Sequence, residues 1–271
     1  GGAGGGYGGD GGSNSNSTYG SVKQPVDLGS GGRSSYGGAG GGAAILTVSG
    51  TTTVNGSILA DGGSPGGYSG GGSGGSVYLT TANLAGSGTI QANGGSDGVT
   101  WEGGGGGGRI AVVLTTGTTF GSIGIQAYGG APGANPSYYP GGAAGTIYKK
   151  ASNQTNGELV MDNNNITTTQ SDLPAGSYTF DKVTVGNGGN VGIPTGVTLT
   201  LPTAASTGNT SGTGYITLAG GTLTIPNGLT IASGVVLNQS GLATQSLTGP
   251  ITVQSGGLIS HTANSTTEAH R

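Results

Sequence analysis

The chain has 271 residues, of which 67 are glycine, 31% are hydrophobic and only 6% are charged, with a net charge of −3. Seven basic residues cannot form the positive stripe that binding to phosphate backbones requires, so nucleic acid is not expected as a partner. Cysteine is absent, which excludes disulfides and thiol chemistry. No apolar stretch reaches the length of a membrane span.

Glycine-rich runs recur at a fixed distance along the first half of the chain. They begin at Gly37, Gly70 and Gly103, which are 33 residues apart, and a fourth begins at Gly141. Each of the first three leads into two short apolar segments of β-strand character and a closing Gly-Gly pair. A fixed period of this length predicts a solenoid, in which each unit buries its apolar side against its neighbours. The repeat units are near 37–69, 70–102 and 103–140.

The second apolar segment of each unit alternates large and small apolar residues. These segments read SILAD at 57–61, TIQAN at 89–93 and GIQAY at 124–128. Successive side chains of a strand point to opposite faces, so the isoleucines and alanines share one face. Stacking then predicts two ladders, Ile58, Ile90 and Ile125 beside Ala60, Ala92 and Ala127. The small alanines leave room for a closely packed neighbour.

The glycine runs themselves are the expected neighbour. A helix would cost about 1 kcal/mol per glycine relative to alanine, and there are no side chains to pack a sheet. Such runs can extend as polyproline-II-type helices and hydrogen-bond to one another side by side. We therefore predict polyglycine-II-like walls in the N-terminal half. The alternative is that the runs are flexible surface loops, as glycine-rich stretches often are.

Aromatic residues precede three of the runs at the same offset. Tyr68, Trp101 and Tyr139 each stand two residues before a glycine run. In a stack they would form a column, which could bind a ligand or make lateral contacts, because flat aromatic faces suit sugar rings or another protein. The alternative is that they cover the bare glycine wall, since packing is the commoner role of aromatics.

The second half, residues 151–271, is rich in threonine and in short alternating strands. KVTV at 182–185, YITL at 215–218 and PITV at 250–253 are predicted to occupy like positions, 33 and 35 residues apart. Short strands joined by tight turns, with threonine outward, are typical of a right-handed parallel β-helix. The fold class is therefore all-β, with a glycine-rich repeat solenoid at 1–150 that the Thr-rich coils of 151–271 continue. Residues 1–36 are interpreted as the tail of a preceding unit plus an insertion.

The chain resembles the glycine-rich and parallel β-helical repeat segments of large secreted cell-surface, adhesin and fibre-forming proteins. The resemblance rests on the GGxGGG-type openings, the strands SVYLT and RIAVV, the closure GTIYKK, and the segments GLTIASGVV and ITVQSGGLI. It implies a structural or adhesive role outside the cell, with no assigned active site.

Catalytic and metal-binding signals are weak. Polysaccharide lyases and hydrolases need clustered carboxylates, but none of the ten acidic residues forms a D-x-D or D-D pair. GGYGGD at 5–10 matches the start of a calcium-binding nonapeptide only once. His261 and His270 are too few for a metal site. We therefore expect no catalytic residue, no metal and no cofactor, and Lys149 and Lys150 are interpreted as solvated charges.

Seven N-x-S/T sequons are possible glycosylation sites, which would suit an external fibre if the source glycosylates. They are Asn16, Asn55, Asn153, Asn165, Asn209, Asn238 and Asn264.

The leading hypothesis is an extracellular structural protein, a subunit or repeat segment of a surface fibre or filament. Open solenoid ends expose unpaired backbone groups, so copies would stack end to end and the main partner would be the chain itself. The chain starts at Gly1 without an initiator methionine, and we expect both ends to be cut from something longer.

Three other hypotheses remain. One is an adhesin module that binds surface polysaccharide through Tyr68, Trp101 and Tyr139. Another is an ice-binding protein, which would need a flat ladder of Thr198, Thr200, Thr222 and Thr224, although the coil lengths look uneven for this. The last is a polysaccharide-active enzyme.

Overall fold

The computed structural model describes residues 3–13, 18–96, 102–166, 170–240, 247 and 249–261. All regular secondary structure in these residues is β-strand, arranged in five mostly parallel sheets. No helix and no closed barrel occurs among them. The predicted all-β class is therefore confirmed.

The glycine-rich half contributes two parallel sheets. Its strands are β1 (Ala43–Thr53), β2 (Ser57–Leu59), β3 (Ser76–Ala85), β4 (Thr89–Gln91), β5 (Arg109–Leu114), β6 (Gly124–Gln126) and β7 (Thr146–Lys150). The odd-numbered strands pair in the order β1-β3-β5-β7, and β2-β4-β6 form a second sheet. Each unit thus adds one strand to each sheet.

The predicted isoleucine and alanine ladders are confirmed. Ile58 pairs in register with Ile90, and Ile90 with Ile125. Ile90 is buried, and its two partners are half-buried against the same apolar cluster. The three alanines of the second ladder are buried in that cluster as well, namely Ala60, Ala92 and Ala127.

The glycine runs form a hydrogen-bonded assembly, which we call the glycine array. It consists of residues 3–12, 29–32, 37–42, 60–63, 70–75, 92–95, 103–108, 127–130 and 141–145. Within the buried run 103–108, successive N–H groups donate to different neighbouring segments, and every third residue donates to the same segment again. Gly104 and Gly107 donate to residues 140–143, at 3.3 and 2.9 Å, while the N–H groups that follow each of them donate to residues 92–95. The runs therefore bond to several neighbours at once, which a flexible surface loop does not do.

Close packing of the array leaves no space for side chains. A Cβ atom built on Gly105 would lie 2.0 Å from the carbonyl oxygen of Gly72, and one on Gly107 would lie 2.1 Å from that of Ala127. The predicted close neighbour of the alanine ladder is thus a glycine run. Residues 3–12, interpreted from sequence as a leftover tail, pack directly against the run 103–108, because the N–H of Gly9 donates to Gly107.

The second half begins with a reversal of direction. Its strands are β8 (Glu158–Asp162), β9 (Ser171–Asp172), β10 (Gly176–Thr179), β11 (Lys182–Gly186), β12 (Asn190–Pro194), β13 (Val197–Thr200), β14 (Thr207–Asn209), β15 (Gly214–Ala219), β16 (Thr222–Thr224), β17 (Leu229–Ile231), β18 (Val235–Gln239), β19 (Ile251–Val253) and β20 (Leu258–His261). Strand β8 pairs antiparallel with β7, and β11 and β14 then extend the same sheet parallel to β8.

Three further parallel sheets complete this half, in the orders β9-β12-β15-β18-β20, β10-β13-β16 and β17-β19. The chain visits the sheets in turn and returns to each. Buried apolar side chains fill the space between the sheets, including Leu199, Val183 and Phe180.

The predicted period of 33 to 35 residues in the second half is wrong. KVTV lies in β11, YITL in β15 and ITV in β19, which belong to three different sheets. The chain returns to the same sheet after 24 residues (158 to 182) and then 25 (182 to 207). We call each return of the chain to the same sheet a round, and we call a closing Gly-Gly pair, the loop after it and the next glycine run a glycine hairpin. Rounds in the described part of the second half are shorter because no glycine hairpin lies between their strands. The similarity of KVTV, YITL and PITV is therefore due to chance.

Candidate functional site

Exposed tyrosines stand at the ends of the glycine hairpins, in segments that we call the tip loops (33–36, 64–69 and 131–140). Tyr68, predicted from sequence, is 69% exposed. Tyr139 is half-buried, and its neighbour Tyr138 is the exposed residue, at 75%. Trp101 lies outside the described residues. Tyr36 is 73% exposed and was missed, although it directly precedes a glycine run.

Hydrogen bonds hold the tip loops in place. The N–H of Gly66 donates to the carbonyl oxygen of Tyr36 at 2.9 Å, which sets the first two loops side by side. The hydroxyls of Ser34 and Ser69 share a hydrogen bond across the same pair of loops. In the third loop, the N–H of Tyr138 donates to Asn135 at 3.1 Å. Tyr36, Tyr68 and Tyr138 are therefore exposed on supported loops and do not shield the glycine array, whereas Tyr139 is half-buried.

The first unit leaves one end of the array uncovered, and we call this edge, formed by residues 37–42 with β1 and β2, the open end. In the described part of the chain, strand β1 pairs only with β3, and β2 only with β4. In later units the carbonyls of Gly70 and Ser73 accept hydrogen bonds from the preceding run. No hydrogen bond within the described residues reaches the equivalent carbonyls of Gly37 and Gly40. The open end therefore presents free backbone groups.

Exposed apolar side chains lie at both ends of the strand stacks. On β1, Leu46 continues the buried column of Leu79 and Val112 but is 38% exposed. At the far end, Ile259 on β20 continues the column of buried Leu237 and is 46% exposed. Each column thus ends in an apolar side chain with no further strand beyond it in the described chain.

At the opposite end of the glycine array, a buried asparagine side chain hydrogen-bonds to the last glycine segments. Asn163 accepts a hydrogen bond from the N–H of Gly129 at 2.8 Å and donates to the carbonyl of Gly142 at 3.1 Å. In earlier units the group equivalent to Gly129 donates to a backbone carbonyl, as Gly62 does to Asn93. The carboxamide therefore replaces the peptide group of a further run.

Arg109 is a fully buried cation that the sequence analysis did not single out. Its guanidinium donates to the carbonyl of Tyr19 (2.8 Å), the hydroxyl of Thr146 (2.8 Å) and the carbonyl of Tyr7 (3.4 Å). Burial, the largest cause, lowers its pKa to about 10, and burial also raises the pKa of Tyr7. This network ties the N-terminal segment to the strand starts, out of reach of any substrate. In the sequence, Arg109 stands at the position that Ser76 and Thr146 occupy in the neighbouring units, and this difference could have identified it.

Several further charged groups make contacts within the fold. Glu158 lies 3.5 Å from Lys149 and 3.8 Å from Lys182. Lys149 also lies over the ring of Phe120, so it is more than the solvated charge that we expected. Asp181 accepts hydrogen bonds from the N–H groups of Asn156 and Gly157, at 2.9 and 3.1 Å, and so stabilises a turn.

The predicted threonine ladder lies on the outer face of one sheet. Thr198 pairs with Thr222, and Thr200 with Thr224. The two rows are in register despite the uneven round lengths that argued against them. Within the described chain, their hydroxyls make no hydrogen bond. Three strands form this face, which limits it to a small area.

The sequons divide by environment. Asn55, Asn153 and Asn165 are exposed. The side chain of Asn209 donates to two backbone carbonyls, and that of Asn238 accepts from Ser260, so both are engaged. Asn16 and Asn264 lie outside the described residues.

Neither a metal-ligand cluster nor a membrane-spanning helix is found among the described residues. No three His, Asp or Glu side chains of that part lie together as metal ligands would. It also contains no helix of the length and hydropathy that a membrane crossing needs. The chain matches no family model, no curated protein and no solved structure. Function is therefore argued from geometry alone.

Proposed function

We propose that the chain is a structural protein, a subunit or repeat segment of an extracellular fibre that grows by end-to-end stacking. In this proposal the rounds of the chain form a right-handed parallel β-helix-like solenoid, with polyglycine-II-like packing in the first half. The three-residue periodicity of the hydrogen bonds supports that packing, because polyproline-II-type helices have three residues per turn. The observation that carries the function is the pair of uncovered apolar ends.

The open end lacks the features that keep natural sheets from pairing, and the other end, within the described residues, has short strands but exposed apolar side chains. Edge strands are usually short, or are protected by lysine, proline or a covering loop. Strand β1 has 11 residues, AAILTVSGTTT, without a charge or a proline. Strands β19 and β20 are short, but four of their apolar residues are exposed, namely Ile251, Val253, Leu258 and Ile259. An unprotected apolar edge favours association with another strand.

The two ends differ in a way that determines which end pairs with which. The open end includes the glycine run 37–42, and only another run without side chains can approach it as closely as the runs of the array approach one another. Among the residues that the structure describes, no glycine run lies beside strands β19 and β20. Like ends therefore match best, and two different two-fold contacts, used alternately, produce a filament.

Single-charge variants test this proposal by the size of the assemblies. We expect filaments of the unaltered chain in electron micrographs at micromolar concentration. Leu46→Lys places a charge in the contact between two open ends. Ile259→Lys places a charge in the contact between two ends formed by β19 and β20. Each single variant should stop at dimers in sedimentation velocity, because one contact survives, and the double variant should be monomeric.

The control is Thr118→Lys, which adds the same charge at an exposed loop position between the ends and should leave filaments intact. Circular dichroism verifies that each variant is folded. Monomers from either single variant would indicate head-to-tail stacking. A folded, unaltered chain that stays monomeric at all concentrations would overturn the proposed function.

A further inference from the structure

The tip loops form a surface that stacking of the ends does not use. Three tyrosines on them, Tyr36, Tyr68 and Tyr138, are each about two-thirds or more exposed, at 73%, 69% and 75%. Aromatic rings are normally placed where they bury area, since their contribution to stability comes from burial. Because they stay exposed, these three tyrosines contribute little to the stability of the fold.

The composition of the loops is that of a recognition surface. They read RSSY, SPGGYS and APGANPSYYP, so tyrosine is combined with serine, asparagine, glycine and proline. In antibody loops, tyrosine supplies rigid amphipathic contact area at low entropic cost, while serine and asparagine supply adaptable hydrogen bonds. Here prolines and the Gly66–Tyr36 and Tyr138–Asn135 hydrogen bonds add rigidity. Preorganised loops lose less conformational entropy when they bind.

The charge of the surface selects the class of partner. Arg33 is the only charged residue of the tip loops. Such loops offer no cluster of charge to an anionic polymer or to a strongly charged protein. Neutral sugars have apolar ring faces that stack on aromatic rings and hydroxyls that pair with serine and asparagine.

A groove adjoins the first tip loop and extends this surface. Its volume is about 420 Å³, and it is lined by Tyr19, Ser30, Arg33 and glycines of the segments 3–12 and 29–32. Tyr19 is 37% exposed, and Arg33 is the first residue of the loop that carries Tyr36. A volume of this size is in the range of small-molecule sites, which extend over roughly 300–1,000 Å³.

We infer that the tip loops bind a neutral polysaccharide, with sugar rings stacked on Tyr36, Tyr68 and Tyr138. This inference does not rest on the proposed assembly, because the tip loops and the strand ends are different residues. A fibre with such loops along one edge would hold sugar chains at many sites at once, and such multivalency raises avidity without new contacts.

Affinity electrophoresis tests the inference with defined probes. The chain is run through gels that contain laminarin, dextran, yeast mannan or, as the anionic comparison, alginate. We expect retardation by at least one neutral polymer and little by alginate. The double variant Tyr68→Ala, Tyr138→Ala should bind at least ten-fold more weakly. Tyr215→Ala, at a partly exposed tyrosine of β15 in the other half, is the control and should bind as the unaltered chain does.

Three results would overturn the inference. The first is no retardation by any neutral polymer, and the second is retardation that the double variant retains. The third is stronger binding of alginate than of the neutral polymers. Sedimentation of the double variant also separates the alternatives, because reduced self-association with unchanged sugar binding would assign the tyrosines to lateral contacts between copies. If sugar binding is absent but filaments form, the proposed function stands and only this inference fails. If sugar binding is present but filaments do not form, this inference stands and only the proposed function fails.

Discussion

The two halves of the molecule stack strands in the same way but are held together by different parts of the chain. In the first half, the array is stabilised by hydrogen bonds between main chains that carry no side chains, as in the buried run 103–108. In the second half, the sheets enclose leucine, isoleucine and valine side chains, such as Leu199 and Ile193. The first half needs the absence of Cβ atoms, and the second needs large apolar side chains.

The difference teaches that glycine-rich sequence does not by itself mean disorder. A single glycine run cannot bury enough apolar area to offset its backbone entropy. In the array, inner runs such as 103–108 satisfy their backbone groups with several neighbours, and two apolar sheets anchor the ends of the runs. The sheets set the register, and the glycine runs fill a layer that side chains could not enter.

The largest expected effect comes from one methyl group in the array. Gly105→Ala places a Cβ 2.0 Å from the carbonyl oxygen of Gly72, and backbone on both sides cannot yield. We expect a loss of more than about 4 kcal/mol in the free energy of unfolding, in the range reserved for severe core defects. Urea denaturation followed by circular dichroism measures it.

The matched control for this change is Gly56→Ala, at a position where an added Cβ meets nothing within 4 Å. It should alter stability by no more than about 0.5 kcal/mol, as surface changes usually do. If both variants change the free energy of unfolding only slightly, the glycine runs are loosely packed. This result would contradict the close backbone packing of the array.

The converse experiment removes side-chain volume from the second half. Leu199 is fully buried in the apolar interior, and Leu199→Ala leaves a cavity. We expect a loss of about 3 kcal/mol, within the 2–5 kcal/mol typical of such truncations. Thr200→Ala, at the next residue on the outer face, is the control. Its hydroxyl makes no hydrogen bond within the described chain, so the free energy of unfolding should change little. Equal stability of the two variants would contradict an apolar core between these sheets.

The sequence predicted the fold where side chains mark a face. The isoleucine and alanine ladders could be found because Ile58, Ile90 and Ile125 recur in register. The reversal between β7 and β8 left no such mark, since alternation within a strand does not reveal its direction. Residues 3–12 were missed as part of the array because glycine has no side chain to indicate a neighbour.

The candidate site was predicted only in part for a related reason. A fixed offset from the glycine runs selected Tyr68, which is exposed, but also Tyr139 where Tyr138 is the exposed residue. Loop conformation decides this choice, and it depends on Asn135 and the flanking prolines. Arg109 could not be assigned because its partners are carbonyl groups and hydroxyls, which nearly every residue of such a chain could provide.

The smallest of the three stability effects concerns the boundary between the halves. There the glycine packing of the first half gives way to the apolar packing of the second. Asn163→Ala leaves the N–H of Gly129 and the carbonyl of Gly142 without their side-chain partner. An unsatisfied buried group costs about 1–3 kcal/mol, and partial access of water at the new cavity lowers this, so we expect a loss of about 2 kcal/mol. Asn227→Ala is the control, because its one hydrogen bond, to Pro202, is exposed.

Hydrogen exchange separates this role from general destabilisation. If Asn163 closes the array, the amide of Gly129 should lose protection well before that of Gly94, which donates to the backbone carbonyl of Tyr128 and is equivalent to it one unit earlier. Equal loss at both amides would mean that the side chain supports the whole half rather than its end. A strictly local loss would show that a single carboxamide can replace the hydrogen bonds that a further glycine run would make at the end of the array.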